Sequence, residues 1–335
     1  MQSEKILNKH IETNSFFVFG FLRTFILITA ILLSGISTAH SSEENIIRDI
    51  LWTEFLCLKE SRPKIALVLG GGGARGFSHI GVLKVLEENK IPVDIIVGTS
   101  AGALIGGLYA TGMQITELEK IGRDIGWDKI SNVSSMKIIR MFTNESLLST
   151  NKLETYLKFH IGEKRFDQTK IPFACISCDI KTGERIVFKE GELAFAMRAS
   201  ATVPGVFEPV EYRHRFLIDG GIVDNLPVDI AKVMGADFIL AVYPKVDSSQ
   251  FEASSVLKTL VQAINIQGES LTSRQLINAD FALIPNVGDV SIIELHRFNE
   301  CIEAGTVTAR KSVDNIKDKI LENFIKLIAK TDGKN

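Results

Sequence analysis

Short apolar runs alternate with helically spaced apolar residues along most of this chain. Residues 65–69 (IALVL) and 94–97 (DIIV) are typical of strands buried on both faces of a parallel sheet. Helical spacing follows each run, over 76–89 and 101–110. This β-α-β-α order predicts an α/β fold whose central sheet is mainly parallel, with right-handed crossovers.

The same kind of pattern continues towards the C-terminus, apart from residues 126–148, which have no regular spacing. Without a clear linker, we predict one main domain over 64–313, after a short helix or tether at 40–63 and before a C-terminal amphipathic helix and tail at 314–335. The further elements predicted are strands at 173–178, 185–188, 215–218, 238–242 and 281–284, and helices at 192–199, 227–234 and 307–329.

The N-terminus differs from the rest. Residues 16–22 are apolar, Arg23 follows, and 24–39 carry no charge. A stretch of this length is short for a membrane span and close to the apolar region of a signal peptide. We predict that 1–39 is a cleaved signal and the protein is exported, periplasmic or secreted, and membrane-associated. The alternatives are an uncleaved anchor at 16–39 and a misassigned start codon.

Composition excludes several classes of protein. The 335 residues contain 38 Lys plus Arg and 40 Asp plus Glu, so the net charge is −2, and 45% are apolar. A disordered chain would be less apolar, and a nucleic-acid binder would be distinctly basic. Four cysteines are too few for a disulfide scaffold. We predict no nucleic-acid partner.

A glycine-rich loop, Gly70–Gly76, follows the first strand and opens a helix. Such a loop aims backbone N–H groups at one point and favours an anion there. A dinucleotide site would need an acidic residue after the second strand, and a P-loop would need Lys where Phe77 stands. An oxyanion hole is favoured, with a nucleotide site and a structural turn as alternatives.

Ser100 lies in Gly98-Thr99-Ser100-Ala101-Gly102, where the second strand turns into a helix. This is the placement of a nucleophile elbow. The alternative role for Ser100 is a helix N-cap, although a cap would not need Gly98 and Gly102.

A serine nucleophile needs a base, and Asp219 is the best-placed candidate. It ends a strand and precedes two glycines, which would allow close approach to another loop. No histidine has the usual position after Ser100, since we expect His214 to be exposed and His79 to be packed. The alternative for Asp219 is an ordinary Asp-Gly turn.

Together, GGGxRG at 71–76, GTSAG at 98–102 and DGG at 219–221 resemble the compact bacterial members of the patatin-like phospholipase family. The similarity extends to 199–207 and 225–228. It implies a three-layer α/β/α sandwich related to the α/β-hydrolases and a Ser-Asp dyad without histidine. By this resemblance, Ser100 is the nucleophile, Asp219 the base, and the oxyanion hole is formed by Gly71, Gly72 and Gly73.

The remaining motif positions, which the resemblance assigns to support of the site, are Arg75, Gly76, Gly98, Gly102, Gly220 and Gly221. Arg75 would hold the loop or attract a lipid phosphate. The resemblance implies no cofactor, and we find no metal-ligand cluster, since Cys175 and Cys178 lie within one predicted strand. Residues 136–142 are either a lipid-facing lid or a packed loop.

The expected function is hydrolysis of fatty-acyl esters of phospholipids or lysophospholipids at a membrane surface, with peripheral attachment. A general carboxylesterase, a serine peptidase on the same fold, and a non-catalytic lipid-binding module are the alternatives.

Overall fold

The structure, a computed structural model, describes residues 40–58, 62–126, 129, 148–245 and 256–332. The predicted signal or anchor lies outside these residues, and so does the segment 136–142, for which a lid and a packed loop are the two interpretations. Among the helices that are described, none combines the length and apolarity needed to cross a membrane.

The chain divides into two units, residues 1–62 and 63–335. In the first, helix α1 spans His40–Cys57, where the sequence predicts a helix or tether, and Trp52 stacks on Phe55 with ring centroids 5.1 Å apart.

The second unit is built on one eight-stranded mixed sheet. Its order is β5-β6-β3-β2-β1-β7-β8, with β4 paired to β3. Strands β3, β2, β1, β7 and β8 are parallel to their neighbours in this series, whereas β4 and β6 run antiparallel to β3 and β5 antiparallel to β6. The strands are β1 Ile65–Leu69, β2 Ile95–Thr99, β3 Phe173–Asp179, β4 Arg185–Phe188, β5 Val210–Tyr212, β6 Arg215–Asp219, β7 Phe238–Val242 and β8 Phe281–Leu283.

Helices cover both faces of this sheet. Alternate residues of a strand point to opposite faces, so Ala66 and Val68 of β1 lie on one face, where they pack with Ile230 and Ala231. On the other face, Gly106 lies close to Ile96 and Leu69. The helices are α2 Ser78–Glu88, α3 Ala101–Ala110, α4 Ile115–Asp124, α5 Asn151–Ile161, α6 Leu193–Ser200, α7 Val228–Val233, α8 Val256–Leu276 and α9 Phe298–Asp332.

Because α7 lies on the first face and α3 on the second, the predicted three-layer α/β/α sandwich with a mainly parallel sheet is confirmed. The core strands β1, β2 and β7 are buried along their whole length, as their continuous apolar runs predict.

Some element boundaries differ from those predicted. The helix expected from Gly76 starts at Ser78, because Gly73–Phe77 forms a 3-10 turn. The last helix, α9, begins at Phe298 rather than 307, so the predicted boundary at 313/314 falls inside one helix. Its first turns hold a glycine, Gly305, that packs against the Ser78 backbone, and this glycine weakens the helical signal in the sequence.

Candidate active site

Strands β2 and β6 meet end to end along the same neighbour, β3. Thr99, the last residue of β2, is in register with Ile176 of β3. Asp219, the last residue of β6, is in register with the next residue, Ser177. The two strands run in opposite directions, so their C-terminal ends converge and bring Ser100 close to Asp219.

Ser100 occupies a sharp turn between β2 and α3. Its backbone angles are φ 56° and ψ −123°, a conformation that non-glycine residues rarely adopt. The glycine at position 102 is required here, since a Cβ on Gly102 would lie 2.1 Å from the Leu69 carbonyl oxygen. Gly98 likewise lies against the Gly102 carbonyl. This geometry is that of a nucleophile elbow.

The Ser100 hydroxyl donates a hydrogen bond to Oδ2 of Asp219 at 2.5 Å. The other oxygen of the carboxylate, Oδ1, accepts the backbone N–H of Gly221 at 2.8 Å. The Asp219 side chain is therefore fixed in one orientation, with one oxygen directed at the serine.

Burial changes the acidity of Asp219. The residue is only 6% exposed, and its desolvation raises the pKa to about 6, although the hydrogen bonds from Ser100 and Gly221 act in the opposite direction. A carboxylate with this pKa is ionised at neutral pH and is a better proton acceptor than an ordinary aspartate.

The glycine loop lies directly beside this pair. Gly71 donates its N–H to the Asn225 carbonyl at 3.2 Å. Among the described residues, the N–H groups of Gly72 and Gly73 meet no acceptor, and both residues line the same cavity as Ser100 and Asp219. Gly73 has φ 56°, and a Cβ there would lie 2.4 Å from the Ile292 carbonyl oxygen, so only glycine fits.

Arg75 holds the loop in shape. Its backbone N–H and its Nε–H both donate to the Gly72 carbonyl, at 3.2 and 3.1 Å, and Nη2 donates to Oδ1 of Asn265 at 2.9 Å. The side chain is 5% exposed, and burial lowers its pKa without removing the charge. Within the described part of the chain, no carboxylate forms a salt bridge with Arg75.

The remaining motif glycines allow close contacts around the dyad. A Cβ on Gly76 would lie 2.4 Å from the Ala101 Cβ, and one on Gly220 would lie 2.4 Å from the Ile176 carbonyl oxygen. Gly221 supplies the N–H that binds Asp219. The structure thus brings every predicted site residue together, and Gly71 differs only in that its N–H is already used.

Two cavities meet at Ser100. One cavity, of about 60 Å³, holds the polar groups of the site, namely the glycine loop, Arg75, Asn225 and Asn265, and we call it the polar cavity, although Ile222, Ile264 and Ile292 also line it. The second cavity, of about 120 Å³, runs between α2, α3, α4 and α5 and is almost wholly apolar. Its α3 wall extends from Ser100 to Leu108. An ester at Ser100 could therefore place an apolar chain on one side and a polar group on the other.

Histidine takes no part in this arrangement within the described residues. His79 is fully buried, and its Nε2 bonds to the Gly70 carbonyl at 2.8 Å. Burial lowers the pKa of His79 to about 4, so the ring is neutral and Nε2 carries the proton. His214 and His296 are exposed, and neither lines the two cavities.

Cys175 and Cys178, the CxxC pair, also line neither of the two cavities at Ser100. Cys175 and Cys178 are three positions apart on β3, so their side chains point to opposite faces of the sheet, and both are buried. Burial raises the pKa of the Cys178 thiol. No group of three or more His, Cys, Asp or Glu side chains in the described ranges is arranged to hold a metal ion.

The sequence analysis assigns no role to three polar residues that lie at the site. Ser200 accepts the Ser100 N–H, Asn225 accepts the Gly71 N–H through its carbonyl, and Asn265 binds Arg75. Ser200 and Asn225 lie in segments that resemble the family, but the sequence alone does not say what they contact. Asn265 lies on a helix with no motif, and only the folded chain brings it to Arg75.

Comparison with known proteins places part of this chain in a family. Residues 67–232 match the family model described as Patatin-like phospholipase. The chain is 37% identical over 181 residues to mouse patatin-like phospholipase domain-containing protein 6, and 36% identical over 183 residues to the lysophospholipase NTE1 of Candida glabrata. These matches cover 53% and 54% of this chain, but only 13% and 10% of the relatives.

Among solved structures, VipD from Legionella pneumophila is similar with a TM-score of 0.44 and 16% identity, over 78% of this chain and 67% of that one. The matched residues include all three motifs, and with them both Ser100 and Asp219, whose side chains are hydrogen-bonded to each other. Over residues 67–232, this chain belongs to the patatin-like phospholipase family.

Proposed function

We propose that this protein is a serine acyl hydrolase that cleaves fatty-acyl esters of phospholipids or lysophospholipids. The observation that carries the proposal is the Ser100–Asp219 hydrogen bond at the junction of an apolar and a polar cavity. A serine paired with a carboxylate therefore lies beside space for both parts of a lipid ester, and this arrangement supports the proposal.

In the first half of the reaction, Asp219 accepts the Ser100 proton while Oγ forms a bond to the ester carbonyl carbon. The carbonyl electron pair moves onto oxygen, giving a tetrahedral oxyanion. When this intermediate collapses, the bond to the leaving oxygen breaks, and the leaving oxygen takes the proton from Asp219. A water molecule then attacks the acyl-serine, again losing its proton to Asp219, and the fatty acid is released as Ser100 regains its hydrogen.

The oxyanion is stabilised by the N–H groups of Gly72 and Gly73. In a trans peptide the N–H points away from the preceding carbonyl. The Gly72 carbonyl and the Gly73 N–H belong to one peptide group. Because the Arg75 side chain binds this carbonyl, the Gly73 N–H points away from the Arg75 side chain. Gly71 supports the loop through Asn225 instead of donating to the substrate. Loss of one such donor typically lowers the rate by about 10² to 10³.

The apolar cavity is suited to the acyl chain. Its wall along α3 advances eight helical steps from Ser100 to Leu108, or about 12 Å at the helical rise of 1.5 Å per residue. An extended chain advances about 1.2 Å per bond, so about ten bonds of an acyl chain fit along this wall.

The polar cavity is suited to the leaving group. Arg75 is a buried cation that lines the cavity containing Ser100 and forms no salt bridge among the described residues, although the Glu269 carboxylate interacts with it at longer range. A phosphate-bearing group would bring negative charge into direct contact with the guanidinium, which favours a phospholipid or lysophospholipid over a neutral ester. The printed names of the relatives, a patatin-like phospholipase domain protein and a lysophospholipase, support the same class.

A fluorophosphonate probe tests the proposal, because only an activated serine reacts with it. We expect labelling of the wild-type protein and of the His214→Ala and His296→Ala controls, and none of Ser100→Ala. Asp219→Asn should fold but lose hydrolysis of both a nitrophenyl ester and lysophospholipid. Labelling that persists in the Ser100→Ala variant would overturn the proposal. Labelling of Ser100 without release of fatty acid from any lipid would favour a carboxylesterase or peptidase.

We further propose that residues 1–39 direct export and that the enzyme acts peripherally on a membrane surface. The basis is the uncharged stretch 24–39, which has the length of a signal-peptide core. Fractionation followed by N-terminal sequencing should find a mature protein that starts after residue 39. An intact N-terminus in the membrane fraction would indicate the anchor at 16–39, and one in the cytosol would contradict export.

A further inference from the structure

The exit of helix α6, residues 199–202, contacts both halves of the dyad. Ser200, its last helical residue, accepts the backbone N–H of Ser100 through Oγ at 2.9 Å. Two residues later, the Thr202 carbonyl accepts the backbone N–H of Asp219 at 2.8 Å. One short segment is therefore hydrogen-bonded to the nucleophile and to the base.

The α6 exit is itself anchored to the strand beneath it. Ser177 of β3 is fully buried, and its hydroxyl lies 3.3 Å from the Ala199 carbonyl and 2.6 Å from the Ile218 carbonyl. Ser177 is also the residue in register with Asp219. The α6 exit and the end of β6 are thus held against the same residue of β3.

Ser200 is hydrogen-bonded to a strained residue. Ser100 has a positive φ although it is not a glycine, a conformation that persists only when the surrounding structure holds it. Ser200 is 0% exposed, and its hydroxyl is the acceptor of the Ser100 N–H. Without this acceptor the buried N–H would have no partner, and the elbow would lose a direct restraint.

We propose that Ser200 is a positioning residue, which holds the Ser100 elbow so that the serine hydroxyl stays directed at Asp219. It does not touch the ester and acts only through the Ser100 backbone. The kinetic part of its test rests on the proposed function, whereas the structural part does not.

The experiment compares Ser200→Ala with Ser78→Ala. Both substitutions remove a hydroxyl from a fully buried serine, but the Ser78 hydroxyl, on α2, has no hydrogen-bond partner among the residues that the structure describes. For each variant we would measure the melting temperature, kcat and KM on a soluble nitrophenyl ester, the rate of fluorophosphonate labelling, and the Ser100 Oγ to Asp219 Oδ2 distance in a crystal structure.

In Ser200→Ala we expect kcat and the labelling rate to fall about 10- to 100-fold, because small misplacements of reacting groups have effects of this size. KM should stay within about twofold, since ground-state binding is untouched. The Ser100–Asp219 distance should lengthen. The Ser78→Ala variant should match the wild type in kcat, KM, labelling rate and Ser100–Asp219 distance, whereas its melting temperature is free to change.

Wild-type kcat in Ser200→Ala, an equal loss in both variants, or a change confined to KM would each overturn the inference. A wild-type protein that neither hydrolyses esters nor reacts with the probe would contradict the proposed function instead. The crystal structures would then decide the role of Ser200, and an unchanged Ser100–Asp219 distance in Ser200→Ala would refute it.

Discussion

The Arg75 side chain donates its Nε–H to the Gly72 carbonyl, so a cation that could serve the substrate also shapes the glycine loop. Lysine has no equivalent of this fork of donors. We predict that Arg75→Lys lowers kcat on a neutral nitrophenyl ester by about 10². Steady-state kinetics on the purified variant would measure this.

A second substitution separates the two roles of Arg75. Arg75→Gln removes the charge, and we expect it to weaken phospholipid hydrolysis more than Arg75→Lys does, when each is normalised to the neutral ester. If Arg75→Lys keeps wild-type activity on the neutral ester, the loop-holding role is wrong.

The buried Asp219 predicts how activity depends on pH. Its pKa is raised to about 6, and the protonated acid cannot accept the serine proton. We therefore expect kcat/KM to be level above pH 7 and to fall about tenfold per pH unit well below 6. A profile of kcat/KM against pH on a soluble neutral ester would locate this acidic limb. If the limb lies near the pKa of an ordinary aspartate, burial does not set the pKa of the base.

The same shift affects stability. Because the folded pKa of Asp219 lies above the unfolded value of 3.8, its protonation favours the folded state. That contribution is complete below pH 3.8 and is lost as pH rises through 6. The Asp219→Asn variant does not titrate, so its stability relative to the wild type should increase between pH 4 and 7, by on the order of 2–3 kcal/mol. Urea unfolding at several pH values would measure the difference, and a constant difference would contradict this prediction.

Strain at Ser100 can be measured separately from activity. Its φ of 56° with ψ of −123° is accessible to glycine but unfavourable for alanine. We predict that Ser100→Gly unfolds at higher urea than Ser100→Ala, with about 1 kcal/mol between them, although both are inactive. Equal stability of the two variants would mean that the elbow is not strained.

Leu108 is the lining residue of the apolar cavity farthest from Ser100 along α3, and it is buried. Leu108→Phe should shorten the cavity and shift the preference among nitrophenyl esters towards shorter chains. Leu108→Ala should shift it the other way, with a loss of stability of about 2–5 kcal/mol. An identical chain-length profile in both variants would exclude this cavity as the acyl site.

The sequence identifies the candidate catalytic residues better than it identifies the residues that hold them in place. Ser100 and Asp219 are recognisable because glycines mark a strand end beside each one. The sequence does not show that the two residues meet, since they are 119 residues apart and their contact depends on how β2 and β6 pair with β3. Ser200 and Asn265 are single polar residues on helices, and such residues have no pattern before the chain folds.

The loop glycines show the same limit. The family resemblance assigns Gly71, Gly72 and Gly73 the same role, and nothing in three consecutive glycines tells them apart. The fold distinguishes them, since the Asn225 carbonyl approaches Gly71 alone. A backbone carbonyl belongs to every residue, and only the tertiary structure decides which N–H it reaches.

The register of β3 also links lipid cleavage to the completion of folding. Ile176 and Ser177 are adjacent, yet they hold strands that come from distant parts of the chain. If Asp219 is the base, a chain in which β6 has not yet docked holds Ser100 without its partner carboxylate, so a newly made or partly unfolded molecule should not hydrolyse esters. Esterase activity would therefore report that β2 and β6 are both docked on β3.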